Sequence, residues 1–280
     1  MAPPPTDNDQ GPPGDPRDTG TDQLLVEVAD GVARVTFNNP AKHNAFSAAM
    51  RQALPRVLAD LGGDPGVRVV VATGAGDRAF AAGADISEFG EQRTSPEARA
   101  AYDRAQAAVA AAWEALEVPV LAMVRGYCLG GGLITALQAD LRLAATDARF
   151  GIPAARLGLG YAFGGVEALV SLVGPAWTAE ILFSARRLSA EEALRAGLVN
   201  RVVPPESLEA ETMALARTIA GNAPLTVRAA KAALKEARRD PAERDVDRVG
   251  DLVEACFASE DYREGQRAFA EKRPARFLGR

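Results

Sequence analysis

Cysteine and histidine are the scarce residues of this chain: Cys128, Cys256 and His43 are all there are in 280 positions. The two cysteines are far apart and have no companion at metal-ligand spacing, which argues against both a disulfide framework and a zinc site. Cys128 sits among apolar residues ahead of a glycine run and reads as packing, not as a nucleophile. One histidine excludes His-rich metal sites and leaves a Ser-His-Asp or Cys-His mechanism a single possible base. No serine occupies a Gly-x-Ser-x-Gly elbow.

A basic excess is also missing. Lysine plus arginine number 32 against 37 acidic residues, a formal charge of -5, so nucleic acid is not an expected partner. No long apolar run stands out: the most apolar stretch, residues 118–139, is interrupted by Arg125 and by glycines, which a lipid-exposed spanning helix of about 20 residues rarely carries. The first 22 residues are rich in Pro, Gly and Asp without a signal-peptide core, and are expected to be a disordered acidic leader. A cytoplasmic protein without a membrane segment is the expectation. At 48% hydrophobic and 25% charged residues the chain is globular in composition, which excludes collagen, coiled coil and wholesale disorder. At about 150 residues per domain, one large domain or a core with an appendage both fit.

Residues 24–28 and 32–37 are β-rich runs separated by Asp30-Gly31, a hairpin signal. Ser47 is the expected N-cap of a helix to about Leu61 that contains Pro55. Residues 67–73 read as a buried strand. Ser95-Pro96 opens an Ala-rich helix toward Glu117; residues 120–124 and 141–145 read as strands, with a short helix to Ala139 between them. From Gly164 the pattern turns helical, and Ser189 with Glu192 forms a capping box for a helix closed by Gly197. A strand over 198–203 precedes helical segments at 205–222, 224–239, 246–258 and 259–272. Alternation followed by a helical tail predicts an α/β core, residues 23–203, with a helical region at 204–280.

Two segments are built to present backbone N–H groups. Small residues from Ala81 to Asp85 permit a ligand to approach the main chain. The run Gly126-Tyr127-Cys128-Leu129-Gly130-Gly131-Gly132 joins a strand to a helix, whose first amides point outward. Two such amides meeting at one point would make an oxyanion hole for a thioester enolate. A glycine cluster also reads as a tight turn, and neither segment alone names a reaction. The run Gly74-Ala75-Gly76-Asp77-Arg78-Ala79 fits the dinucleotide fingerprint but opens no helix, and Gly158-Leu159-Gly160 follows no long strand.

Taken together, NPAKHNAFS (39–47), AFAAGADI (79–86), PVLAMVRGYCLGGGL (119–133), DLRLAATDARFGIP (140–153), LSAEEALRAGLVNRVV (188–203) and SEDYREGQRAFAEKRPARF (259–277) resemble the crotonase superfamily, the enoyl-CoA hydratase/isomerase proteins, over residues 24–280. The resemblance implies a ββα spiral core with a C-terminal α-helical trimerisation region, trimers or dimers of trimers, and an acyl-CoA thioester as ligand with no further cofactor or metal. It assigns the oxyanion amides to Ala84 and Gly131. It puts Lys42 near the CoA phosphates, Ala82, Asp85 and Ile86 along the adenine and pantetheine path, and Phe269 and Lys272 at a C-terminal lid over a neighbouring subunit's ligand.

The catalytic pair departs from that pattern. Hydratases of the superfamily carry one glutamate two residues after the last glycine of the cluster and another after the proline of the F-G-x-P segment. Here Ile134 and Ala154 stand in those places, removing a general acid and a general base worth about 10² to 10⁴ in rate each. Tyr161 falls beside the acyl end and could donate a hydrogen bond. That arrangement resembles methylmalonyl-CoA decarboxylases, which have a histidine where this chain has Ala84. Three functions remain open from the residues: a hydratase-like lyase, a decarboxylase or isomerase using Tyr161, and a non-catalytic acyl-CoA binder. An RNA-binding variant would need a lysine-studded helix, and residues 96–113 contain no lysine. Arg156 could pair with a substrate carboxylate or lie solvated, and His43 reads as a loop residue near the CoA entrance.

Overall fold

The expected leader is corrected at its C-terminal end. In this computed structural model, which describes residues 15–85, 88 and 95–280, β1 (Asp15–Pro16) pairs antiparallel with β2 (Leu24–Ala29). Arg17 donates its N–H to Val26 O at 2.9 Å, and buried Thr19 gives its hydroxyl to Leu24 O at 2.6 Å. The open edge of β2 is a row of unpaired main-chain groups, and residues 15–19 satisfy it. Residues 1–14 lie outside the described residues.

β2 and β3 (Val32–Phe37) form the expected hairpin, in register from Leu24 opposite Phe37 to Ala29 opposite Val32. Its turn places Asp30 and Gly31 at φ 50° and 78°, as a two-residue turn of this hand requires. Ser47 caps α1 (Ala48–Gly63) by accepting Met50 N–H. β4 (Val69–Gly74) lies parallel to β3 and to β6 (Val120–Val124). Between them come β5 (Ala79–Ala81) and α2 (Pro96–Ala115), capped by Ser95. β7 (Tyr127–Leu129), α3 (Gly131–Leu137), β8 (Leu141–Ala145) and β9 (Arg149–Gly151) follow.

α4 (Phe163–Ser184) is long and apolar enough to cross a bilayer by length and composition. Gly174, at φ 76°, and Pro175 break it midway, and Leu169, Val173 and Ile181 are buried in the protein. β10 (Leu188–Ser189) leads into α5 (Ala190–Arg195) through the capping box of Ser189 and Glu192. The strand expected over 198–203 is shorter, β11 (Arg201–Val203). Leu198 N–H turns back to Ala193 O instead. α6 (Leu208–Ala220), α7 (Pro224–Ala237), α8 (Val246–Ala258) and α9 (Glu260–Glu271) complete the chain.

Two sheets result. The larger runs β1-β2-β3-β4-β6-β8-β11, and a smaller one runs β10-β9-β7-β5. The central strands of the larger sheet are apolar on both sides, as expected of parallel strands covered on both faces. Val70, Ala72, Val120 and Ala122 pack with Leu54 and Leu58 of α1 and Trp113 of α2. Val69, Val71, Leu121 and Leu143 pack with Leu208, Ala216 and Ala220 of α6. Each such aliphatic side chain contributes about 1.5–3 kcal/mol on burial. Thus α6, expected within the separate helical region, covers one face of the core sheet. The small sheet was mostly missed in the sequence because strands of two or three residues carry no readable alternation.

Candidate active site

Two chain segments leave the small sheet side by side and then turn toward each other. After β5, Ala82 donates its N–H to His43 O at 3.0 Å, Gly83 O accepts Phe46 N–H at 2.7 Å, and Asp85 N–H returns to Phe46 O at 3.1 Å. The N–H of Ala84, between these contacts, has no acceptor among the backbone bonds of the described residues. After β7, Gly130 donates its N–H to Gly151 O at 2.8 Å and turns the chain at φ 53°, ψ -120°. Gly131, the first residue of α3, likewise has no backbone acceptor for its N–H among the described residues.

The two free N–H groups are neighbours. A methyl group built on Gly131 would lie 3.7 Å from the Ala84 nitrogen, and one built on Gly83 only 3.4 Å from the Gly131 nitrogen. Glycine is required for this approach in two places. Gly83 sits at φ 101°, which L side chains avoid, and a methyl on Gly132 would lie 2.1 Å from Ala81 O. Ala84 N and Gly131 N, the pair singled out in the sequence, therefore lie on adjoining loops, each without a backbone acceptor among the described residues.

Apolar side chains cluster further along α3 and ahead of α4. Ile134 is one turn further along α3, its N–H bonded to Gly130 O at 3.1 Å. Its side-chain end and the Tyr161 ring meet over the first turn of α4: a methyl on Gly165 would lie 3.4 Å from Ile134 Cδ1 and 2.8 Å from Tyr161 Cε1. Ala154, buried in the short 3-10 turn of residues 153–157, belongs to the same apolar cluster. Burial, and to a lesser degree the neighbouring Tyr102, push the Tyr161 phenol well above the usual tyrosine range, so it stays protonated. Tyr161 can donate a hydrogen bond here and cannot act as a base near neutral pH.

Lys42 and Asp85, both expected along the CoA path, are joined in an ion pair at 2.6 Å, the carboxylate buried and the ammonium half exposed. Ala82 lies beside them on the same loop, and Ile86 falls outside the described residues. Phe269 and Lys272 stand at the end of α9. Phe269 is 88% exposed and lines an apolar groove of about 690 Å³ with Leu225, Val253, Phe257 and Tyr262. Lys272 ends the helix at φ 52°. Arg156 is exposed. Cys128 is fully buried, and burial drives its thiol up against the opposing field of Arg142.

The sequence reading missed what holds the first loop. His43 acts through its carbonyl, which takes Ala82 N–H, while its ring lies edge-on to Tyr127 at 5.9 Å. Asn44 is buried at φ 55°, donates to Ala75 O and Ala79 O at 2.9 and 2.7 Å, and accepts Asn39 N–H. An asparagine between two short motifs, tolerant of left-handed backbone, was the available signal.

Two neighbouring loops that leave the small sheet thus each present a main-chain N–H without a backbone acceptor among the described residues. The family model of enoyl-CoA hydratase/isomerase matches residues 27–280. Crotonyl-CoA hydratase of Syntrophomonas wolfei is 37% identical over 259 residues, 92% of this chain and 99% of that protein. Carnitinyl-CoA dehydratase of Salmonella arizonae is 38% identical over 258 residues, 89% and 95% of the two chains. The crystal structure of an enoyl-CoA hydratase/carnithine racemase from Magnetospirillum magneticum superposes with a TM-score of 0.88 at 35% identity, covering 93% of this chain and 97% of that one. The chain belongs to the enoyl-CoA hydratase/isomerase family of the crotonase superfamily, and is a lyase-type enzyme of that family acting on acyl-CoA thioesters.

Proposed function

We propose that the thioester carbonyl oxygen of the acyl-CoA rests between the N–H groups of Ala84 and Gly131, which stabilise the enolate formed when electrons arrive from Cα. The observation that carries this reading is the proximity of two main-chain N–H groups, on separate loops, that have no backbone acceptors among the described residues. Preorganised donors of this kind supply the largest single share of catalysis in many enolate-forming enzymes. The CoA part runs past Lys42, Ala82, Asp85 and Ile86, and no metal or second cofactor takes part. The chain acts in the cytoplasm as a trimer or a dimer of trimers, with Phe269 and Lys272 closing over a neighbouring subunit's ligand. The exposed apolar groove of α7, α8 and α9 supports that assembly.

One reaction is favoured by the residues around the acyl group. With Ile134 and Ala154 in place of carboxylates, no side chain at those positions can activate water. Decarboxylation of a malonyl-type thioester needs none. The bond from Cα to the carboxylate carbon breaks, carbon dioxide leaves, the electron pair of that bond stays on Cα and forms the enolate held by Ala84 and Gly131, and Tyr161 donates a proton to Cα and regains one from solvent. Incubation with methylmalonyl-CoA is expected to release carbon dioxide, and Tyr161→Phe to reduce that release by about 10²-fold or more. Rapid hydration of crotonyl-CoA without decarboxylation would contradict this reaction. Tight binding of both esters without turnover would contradict it too and leave a non-catalytic acyl-CoA binder.

A further inference from the structure

Arg142 is a buried cation that the reaction above does not use. It is 4% exposed, at the second position of β8. Its Nε donates to Leu198 O at 2.8 Å, and its Nη1 donates to Ala139 O at 2.5 Å and to Ala136 O at 3.4 Å. Its main chain is tied to the same turn: Arg142 N–H donates to Asn200 Oδ1 and Asn200 N–H donates to Arg142 O, both at 2.8 Å. Among the described residues it makes no ion pair, and the adjacent Asp140 is bonded to Lys231 at 2.9 Å. Asp140, Arg238 and Cys128 are the charged or titratable groups whose fields reach it, and burial lowers the guanidinium to about 10, so it is charged at neutral pH.

A buried cation with no paired carboxylate is costly, and an apolar side chain of similar volume would fill the space at lower cost. What a guanidinium adds is a rigid fork able to hold carbonyls from two chain segments at fixed angles. Here the fork joins the carbonyls that close α3 to the turn before β11. The other end of α3 is Gly131, about 10 Å away at 1.5 Å per residue.

We infer that Arg142 is a positioning residue for the Gly131 N–H: it fixes α3 against the 198–200 turn, and so holds that donor at its working distance from Ala84. This rests on the oxyanion reading of Ala84 and Gly131. The probe is acetoacetyl-CoA, a thioester that ionises to an ultraviolet-absorbing enolate, whose ionisation pH on the protein reports how well the enolate oxygen is held. Butyryl-CoA, which does not ionise, reports ground-state binding.

Arg142→Gln is expected to raise the ionisation pH of bound acetoacetyl-CoA by about one unit, tenfold in enolate affinity, as a loosened α3 weakens the hydrogen bond from Gly131 N–H to the enolate oxygen. Arg142→Lys keeps the charge without the fork, and is expected to raise it by about half as much. Butyryl-CoA affinity should stay within about twofold in both. If Arg142→Gln does not fold, Arg142→Lys decides by the same measurement. An unchanged ionisation pH in a folded variant, or equal losses for both esters, overturns the inference. Gly131→Pro, run beside them, separates the two readings. If it raises the ionisation pH while the Arg142 variants do not, the oxyanion reading stands and the role of Arg142 falls. If it changes nothing, the oxyanion reading itself fails.

Discussion

At the scale of single residues the site is defined by what glycine permits and by what Ile134 and Ala154 withhold. The backbone of Gly131 is not left-handed, and a methyl there meets only ordinary contacts, 3.7 Å from Ala84 N. Gly131→Ala should therefore fold normally yet crowd the oxyanion position, and lower turnover by about 10²- to 10³-fold, the usual loss of one such donor. Comparing steady-state rates with thermal unfolding checks this. The double substitution Ile134→Glu with Ala154→Glu restores the carboxylates of a hydratase. It is expected to raise crotonyl-CoA hydration by about 10²-fold or more, and stopped assays at the loss of the enoyl absorbance would measure it. No gain from a folded double variant would mean that the acyl group lies elsewhere.

Short elements carry the site, and their tolerance is uneven. Gly132 lets α3 lie against β5, and a methyl there would come within 2.1 Å of Ala81 O. Gly132→Ala is expected to destabilise the fold by about 1–3 kcal/mol or more, as overpacking does, read from urea unfolding. An unchanged midpoint would contradict that packing. The longer elements were legible in the sequence because their signals are local. Asp30-Gly31 marks the hairpin, Ser47 and Ser95 mark helix starts, and Ser189 with Glu192 marks a capping box that the structure forms in full. The nearness of the Ala84 and Gly131 loops was reachable only through resemblance, since segments far apart in sequence meet through a sheet of two- and three-residue strands. Residues 15–19 were misread because composition alone does not reveal an unpaired strand edge, and Arg142 and Asn44 drew no reading because a buried polar residue looks like a surface one until its acceptors are known.

At the scale of the whole molecule the C-terminal tail is strapped onto α9 by acids. Asp261 accepts the N–H groups of Leu278 and Gly279 at 2.6 and 2.8 Å, and Glu264 accepts Arg276 N–H at 3.1 Å and pairs with Arg273 at 2.6 Å. Arg68 reaches Phe277 O at 2.8 Å and ties the tail to the core. The Arg273 hydrogen bond is the main cause that holds the Glu264 carboxyl down at about 2, against 4.5 for a free glutamate. A depressed folded-state value means that this contribution is present above pH 4.5 and is lost as the pH falls toward 2. Hydrogen exchange should show the Arg276 amide losing protection through that window, and Glu264→Gln should remove the pH dependence at that amide. Retained protection at pH 2 in the wild-type protein would contradict the strap.

The measurement that bears most directly on the central claim is a crystal structure of the protein holding an acyl-CoA thioester. The thioester oxygen is expected about 2.7–3.1 Å from both Ala84 N and Gly131 N, the range for working oxyanion donors, with the acyl group against Ile134 and Tyr161. A thioester oxygen that faces any other pair of groups, or only one of these two, would contradict it.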